Sequence, residues 1–463
     1  MTQPKSSEAS GKLILPTGAT RREFMKSSGL ATGAALVGGT LAGMSSTARY
    51  ANAQGSGEVK VALIGCGGRG TGAASDMLAS SHPVKNHRHG RSVLRSFERR
   101  LKTLQNSHSN KVDVPKERQF VGFDAFQNAI DSGVDMVILA TPPGFRPMQF
   151  EAAVKAGKHV FMEKPVATDP SGVRQVLAAA KLAKEKNLGV GVGLQRRHQQ
   201  PYLETIARLQ DGAIGDIVAA RVYWNGSTPW VRTRESLEKQ AGRKLSEMEY
   251  QLRNWYYFTW ICGDHIVEQH IHNLDVINWL KGKAPSKANG MGGCQVRKGK
   301  DYGETFDHHF IEFEYDDGTK MFSQCRHIPN CFNSVSEHVH GTKGSSTISS
   351  HNIKSKDGDW KFDGKTAKLG KPGNPYQVEH QDLLDSIAKG TPYNEGESGA
   401  MSTMTAILGR MATYSGKELK MEDALNSKIS IMPKSFAFDA ETLVKPGEDG
   451  MYPVAMPGIT QVV

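Results

Sequence analysis

Val59-Lys60-Val61-Ala62-Leu63-Ile64-Gly65-Cys66-Gly67-Gly68-Arg69-Gly70 decides the fold of this chain. A short apolar strand runs straight into G-x-G-x-x-G, and a helix pattern continues through Met77. Gly65 suits the tight turn, Gly67 a close approach of backbone to a pyrophosphate, and Gly70 close helix–strand packing. The helix N–H groups then face the phosphates. Gly68 and Arg69 belong to the same turn.

Outward from this turn the chain alternates. Helix patterns cover Asp124–Asp131, Pro147–Ala156 and Ser171–Lys186; strand patterns cover Val134–Ala140, His159–Met162 and Gly189–Leu194. This alternation predicts a doubly wound parallel Rossmann sheet, with ligands gathered at the carboxyl ends of the strands. Thr141-Pro142 and Glu163-Lys164-Pro165 fall at such ends. Beyond Leu194 the pattern changes to the alternating strands Ile217–Tyr223, His308–Tyr315, Lys320–Arg326 and Val335–Gly341, with helices at Gln377–Ala388 and Ser398–Ser415. A second α/β domain with a large, mostly antiparallel open sheet is expected. Lys354–Pro375 is expected as hairpins or an exposed loop, and the chain from Lys445 as a surface tail.

These features resemble the Gfo/Idh/MocA oxidoreductases, the family of glucose–fructose oxidoreductase and inositol dehydrogenase. The resemblance rests on Gly65–Gly70, Thr141-Pro142, Ala156-Gly157-Lys158-His159-Val160, Glu163-Lys164-Pro165 and Arg196-Arg197. It implies NAD or NADP held by Gly65, Gly67, Gly68, Arg69, Gly70, Thr141, Pro142, Glu163 and Lys164. It also implies a sugar, polyol or glycoside substrate, and a homo-oligomer built through the open sheet face.

The segment Gly263-Asp264-His265-Ile266-Val267-Glu268-Gln269-His270-Ile271-His272-Asn273-Leu274-Asp275 carries the chemistry. Read as an α-helix, it aligns His265, Glu268, His272 and Asp275 on one face. Ionisable groups are costly to bury without a task. By resemblance His272 is the proton-transfer residue, and Glu268 stands where the family has Asp. His270 replaces a usual glycine, and Arg146 a usual histidine. Lys164 is expected to stabilise a developing alkoxide. Arg197, Trp255, Tyr256 and His265 are expected to contact substrate, with Trp230 in the same cleft. His265, His270, His272 and Glu268 also offer metal-ligand chemistry, but His270 points off the shared face and no metal is assigned.

Asn86-His87-Arg88-His89-Gly90-Arg91-Ser92-Val93-Leu94-Arg95-Ser96 departs from the pattern. It lacks both a strand pattern and the carboxylate expected to bind the ribose hydroxyls. Three readings stand: Arg88, Arg91 and Arg95 select a 2′-phosphate; the stretch is a basic loop; or residues 86–96 carry a local frameshift. Codons compatible with the stretch, shifted by one base, encode Ile-Thr-Ala-Met-Ala-Asp-Leu-Phe-Ser-Asp, an apolar strand ending in Asp. Taken as it stands, the segment leaves the sheet short of a strand.

The front of the chain carries an address. Thr20-Arg21-Arg22-Glu23-Phe24-Met25-Lys26 resembles a twin-arginine export signal, followed by a mild apolar stretch and by Ala51-Asn52-Ala53. The expected organisation is a signal peptide at 1–53, a nucleotide-binding domain at 54–190 and a substrate and oligomerisation domain at 191–463. Twin-arginine pathways carry folded proteins, so the cofactor is expected to be bound tightly through export to a periplasmic or other extracytoplasmic site.

Composition excludes the remaining classes. Of 58 basic and 47 acidic residues, 6 and 2 lie within 1–53, and no dense basic stripe with aromatics remains for nucleic acid. No apolar run reaches the ~20 residues of a membrane span, which argues against an integral membrane protein. Five cysteines without CxxC spacing make neither a disulfide framework nor a zinc ribbon.

Overall fold

The computed structural model describes residues 57–91 and 97–463. The proposed export signal and Arg95 lie outside these residues, as do the side chains of Arg88 and Arg91. Among the described residues no helix is long and apolar enough to cross a membrane.

Six strands form the first sheet: β1 (Val59–Ile64), β2 (Val84–Arg91), β3 (Gln119–Val121), β4 (Met136–Leu139), β5 (His159–Met162) and β6 (Val190–Val192). Their order is β3-β2-β1-β4-β5-β6, and all neighbouring strands are parallel. β4 is buried at every residue and β1 at all but Lys60, as expected for strands covered on both faces. Helices Gly68–Leu78, Arg146–Lys155 and Pro170–Glu185 provide crossovers. The order reverses between β1 and β4, the switch point where ligands bind in such sheets.

The expectation that the sheet lacks a strand at 86–96 is overturned. β2 occupies Val84–Arg91 and pairs with β1 from Val59↔Val84 to Ile64↔Gly90, with a register shift between Val61 and Ala62. Parallel pairing uses backbone N–H and C=O groups, so flanking strands on both sides hold a polar segment that no apolar pattern announces.

Nine strands form the second sheet: β7 (Ile217–Gly226), β8 (Lys287–Gly293), β9 (His308–Glu314), β10 (Lys320–His327), β11 (Ser334–Gly341), β12 (Gly344–Thr347), β13 (Asn352–Ser355), β14 (Trp360–Lys361) and β15 (Leu419–Lys420). In the order β14-β13-β12-β11-β7-β10-β9-β8-β15, only β7 and β10 pair in parallel. Burial alternates along β10, with Met321, Ser323, Cys325 and His327 turned inward. That inner face packs on helices Ile271–Lys281 and Gly396–Ser415. Lys354–Pro375 contains the end of β13, the turn into β14, β14 itself and a mostly exposed loop.

Helix Pro375–Ala388 follows β14 of the second sheet in sequence but belongs to the core of the first. Leu383, Leu384 and Ile387 pack with Val61, Leu63 and Phe161. Gly189, just before β6, and Gly191 within it make room for it: a Cβ on Gly189 would lie 2.8 Å from Ile387, and one on Gly191 3.1 Å from Leu383. This return places Tyr376 and Glu379 beside the glycine turn.

Candidate active site

The three glycines of the turn do different work. Gly65 has φ +101°, and a Cβ there would stand 2.3 Å from the Thr141 nitrogen. A Cβ on Gly70 would stand 2.0 Å from the Gly65 oxygen. Both positions exclude any side chain. A Cβ on Gly67 would meet nothing within 4 Å, and no acidic residue occupies the first turn of helix Gly68–Leu78 behind it. A helix N-terminus open at Gly67 and free of acidic side chains fits a dinucleotide pyrophosphate. Thr141 and Pro142 lie directly across from this turn.

Arg69 leaves the turn sideways. Its Nε donates to Glu163 Oε1 at 2.5 Å, its Nη2 lies 3.6 Å from Glu379 Oε1, and its guanidinium sits 4.6 Å over the Tyr376 ring. Glu379 is 1% exposed, and neither carboxylate oxygen has a hydrogen-bond partner. Burial and the adjacent Glu163 carboxylate push its carboxyl well above the usual range. The face Glu379, Leu383, Ile387 of this helix is the sequence signal for a buried carboxylate that the motif reading passed over.

Lys164, Glu268 and His272 come together at the end of β5. The Lys164 ammonium donates to the Glu268 carbonyl at 2.5 Å and lies 3.3 Å from Glu268 Oε1. Glu268 Oε2 is buried without a partner, and burial raises the carboxyl despite the opposing pull of Lys164 and Arg146. His272 is 9% exposed and stacks on Trp224, with ring centroids 6.0 Å and planes 21° apart. Burial first, then Lys164, Arg196 and Arg69, hold its imidazole well below the ordinary range. It is therefore neutral at pH 7, the state a proton acceptor needs.

Residues 59–194 match the model of the oxidoreductase family's NAD-binding Rossmann fold, and residues 206–421 that family's C-terminal alpha/beta domain. The chain belongs to the Gfo/Idh/MocA oxidoreductase family. It is similar to the 2,7-anhydro-N-acetylneuraminate hydratase of Escherichia coli, 27% identical over 52% of this chain and 58% of that protein. It is also similar to the 1,5-anhydro-D-fructose reductase of Ensifer adhaerens, 24% identical over 64% of this chain and 82% of the relative. The chain thus spans little more than half the length of the Escherichia coli relative, and 43% of an uncharacterized Streptococcus pneumoniae oxidoreductase. Among solved structures, the fold is shared with the aldose-aldose oxidoreductase of Caulobacter crescentus (TM-score 0.60, 19% identity, 78% of this chain and 99% of that one). It is shared equally with a scyllo-inositol dehydrogenase of Lactobacillus casei bearing NAD(H) and scyllo-inositol (TM-score 0.58, 19% identity, 79% and 99%).

Against the expected Gfo/Idh/MocA pattern, the carrier segment is not a plain α-helix. Ile266–His270 form a π-helical turn ahead of helix Ile271–Lys281, a feature common at functional sites. The wider turn breaks the expected stripe: Glu268 meets Lys164 and His272 stacks on Trp224, while Asp275 turns to Arg197 and Ser402 and His265 to Asp264. His265 is 1% exposed, with Nδ1 2.8 Å from Asp264 Oδ1 and its ring 4.9 and 4.3 Å from those of His309 and His327. His265, expected to contact substrate, thus lies in a buried group with Asp264, His309 and His327.

Arg197, also expected to contact substrate, pairs with Asp275. Its Nε and Nη2 donate to Asp275 at 2.7–3.1 Å, and Ser402 completes that carboxylate. Its neighbour Arg196 takes the place by His272, fixed by the fully buried Glu337, which also accepts from Tyr202 at 3.1 Å and Asn273 at 2.6 Å. Consecutive residues of a turn point in different directions, which the pair Arg196-Arg197 does not reveal in sequence. Trp255 and Tyr256 form an aromatic cluster with Trp230, at ring distances of 5.0–6.0 Å. Tyr256 stacks on His327, whose Nε2 lies 2.7 Å from Gln269, next to Glu268. Arg146, the residue replacing a histidine, is 1% exposed and donates to the carbonyls of Leu139, Thr141 and Pro165. It ties the ends of β4 and β5 together.

Proposed function

We propose that the protein is an exported NAD(P)-dependent oxidoreductase that moves hydride between the nicotinamide and a hydroxyl-bearing carbon of a sugar, polyol or glycoside. The observation that carries this reading is the meeting of Lys164, Glu268 and a neutral His272 beside a glycine turn with open space at Gly67. Bound over Gly65–Gly70, with Thr141, Pro142, Glu163 and Lys164 at the neighbouring strand ends, the dinucleotide supplies the hydride acceptor or donor.

The remaining work falls to the chain. His272 takes the proton of the substrate hydroxyl as its carbon is oxidised, and returns it in the reverse direction. Lys164 donates a hydrogen bond to the same oxygen and stabilises its developing negative charge. Glu268 accepts from Lys164 and orients it. Trp224 fixes the plane of the His272 ring, and Glu337 holds Arg196 beside it. Trp255 and Tyr256 offer flat faces to a sugar ring.

The relatives named as dehydrogenase and reductase support net redox turnover. The relative named as a hydratase favours a second reading, in which oxidation is transient and an elimination or water addition follows before the substrate is reduced again. A glycosidase working in this way would use the same residues. A non-catalytic sugar-binding or structural relative would bind no nucleotide at this site. Export through the twin-arginine machinery, tight retention of the cofactor and assembly as a homo-oligomer belong to the same proposal. Its test is to purify the full chain from the cell envelope and identify any released nucleotide. Sugars, polyols and aryl glycosides are then screened for absorbance change and aryl release. Bound NAD or NADP with turnover of one such class is expected; protein with no nucleotide and no affinity for one ends the proposal.

A further inference from the structure

Behind the candidate site lies a second cavity of about 360 Å³, closed by the C-terminal segments around Ile429–Ile431, Leu443–Val444 and Pro453–Ala455. Its walls are mainly apolar, including Pro170, Met411, Leu443, Val444, Val454 and Val462. Its volume is within the ~300–1,000 Å³ of ligand pockets, which pair apolar walls with a few placed polar groups.

Its polar wall residues include Arg410, Thr259, Glu304, Tyr414, Ser430 and Asp169, the last with its carboxylate taken up by the Gly172 and Ile431 nitrogens. Arg410 is 4% exposed. One of its terminal nitrogens, Nη1, donates to the carbonyls of Thr168 at 2.8 Å and Gly263 at 3.0 Å. No carboxylate among the described residues pairs with it, and its Nε–Nη2 edge makes no hydrogen bond to the chain. Glu304 on the same wall acts on this guanidinium without a direct ion pair; a buried guanidinium left so is incompletely compensated, and the free edge presents two parallel N–H groups in the fork that matches a carboxylate. Thr259 Oγ1, also on the wall, is buried beside the Glu304 carboxyl and the Tyr414 hydroxyl. Glu304 uses one oxygen to accept from the Thr259 nitrogen at 3.0 Å. Burial pushes its carboxyl up to about 7, which limits its opposition to a second acid nearby.

We infer that this cavity is a second ligand site, separate from the nucleotide and substrate site, for a small carboxylic acid with an apolar body. The carboxylate pairs with the Nε–Nη2 edge of Arg410, the Thr259 hydroxyl adds a donor, and the apolar body fills the space under the arm. The carbonyls held by Arg410 belong to Thr168, four residues beyond Lys164, and to Gly263, which opens the segment carrying Glu268 and His272. The site therefore adjoins the backbone supports of both.

The test is calorimetric titration of the full chain with sodium benzoate and sodium hexanoate, with benzyl alcohol as the neutral counterpart. Saturable binding of an acid and none of the alcohol is expected. Arg410→Lys removes the fork and should weaken acid binding by about tenfold or more. Val454→Trp fills the cavity from the arm, leaves Arg410 in place, and should do the same if Arg410→Lys fails to fold. Nucleotide content of the folded variants should stay at the wild-type level. No saturable binding of either acid, equal binding of benzyl alcohol, or undiminished acid binding in a folded variant would each overturn the inference. Because nucleotide is measured separately, failure here is distinguishable from failure of the redox reading.

Discussion

The Lys164 ammonium and the Glu268 carboxylate lie 3.3 Å apart across 104 residues of chain, joining the end of the first sheet to the π-helical turn before the second helix layer. Each is largely buried, so each depends on the other for compensation of its charge.

Replacement of the acid–base pair should separate chemistry from binding. Lys164→Ala and His272→Ala are each expected to lower kcat by about 10²–10⁴ while nucleotide stays bound, measured by release after denaturation. Near-normal turnover in either variant removes that residue from the mechanism.

The glycine turn should respond unequally to one added methyl group. Gly65→Ala and Gly70→Ala place Cβ atoms 2.3 and 2.0 Å from backbone, so losses of at least about 1–3 kcal/mol are expected in urea unfolding. Gly67→Ala meets nothing and should unfold within about 0.5 kcal/mol of wild type. Its nucleotide affinity should nevertheless fall. Loss of stability without loss of affinity would place the dinucleotide elsewhere.

Buried histidines should make the fold sensitive to acid. Burial holds His270 down to about 3 and His309 to about 4, against about 6.5 in the unfolded chain. Below that value the unfolded state binds protons first, so the stability gained by keeping these rings neutral is lost as pH falls from about 6.5 toward 3. In His270→Gln the fall in stability between pH 7.5 and 4.5 should be shallower than in wild type. Parallel curves from urea titrations would refute this assignment.

Arg146 should prove structural. Arg146→Met withdraws donors from three carbonyls and should cost about 1–3 kcal/mol for each one left buried and unpaired. Unchanged unfolding free energy would show that water replaces the guanidinium.

Much of the first sheet was legible because its strands are buried on both faces and must be apolar, as Met136–Leu139 and His159–Met162 are. β2 was not, since its place is held by main-chain pairing with β1 rather than by its own side chains. The segment 86–96 still lacks the expected strand-end carboxylate, so the shifted reading frame remains a proposal. The nucleotide sequence tests it: codons that cannot shift to an apolar strand ending in Asp end that idea.

By itself, the sequence determined the family and the alternation of strands and helices, and it singled out Lys164, Glu268 and His272 as candidates, because local pattern and motif spacing carry that information. Tertiary structure alone decided which groups face one another. A π-helical turn rotated His265 out of the stripe, neighbouring arginines parted to Glu337 and Asp275, and a returning helix brought Glu379 to Arg69. Spacing along a chain fixes direction only while the helix stays regular, and pairing of charges across hundreds of residues is settled by packing.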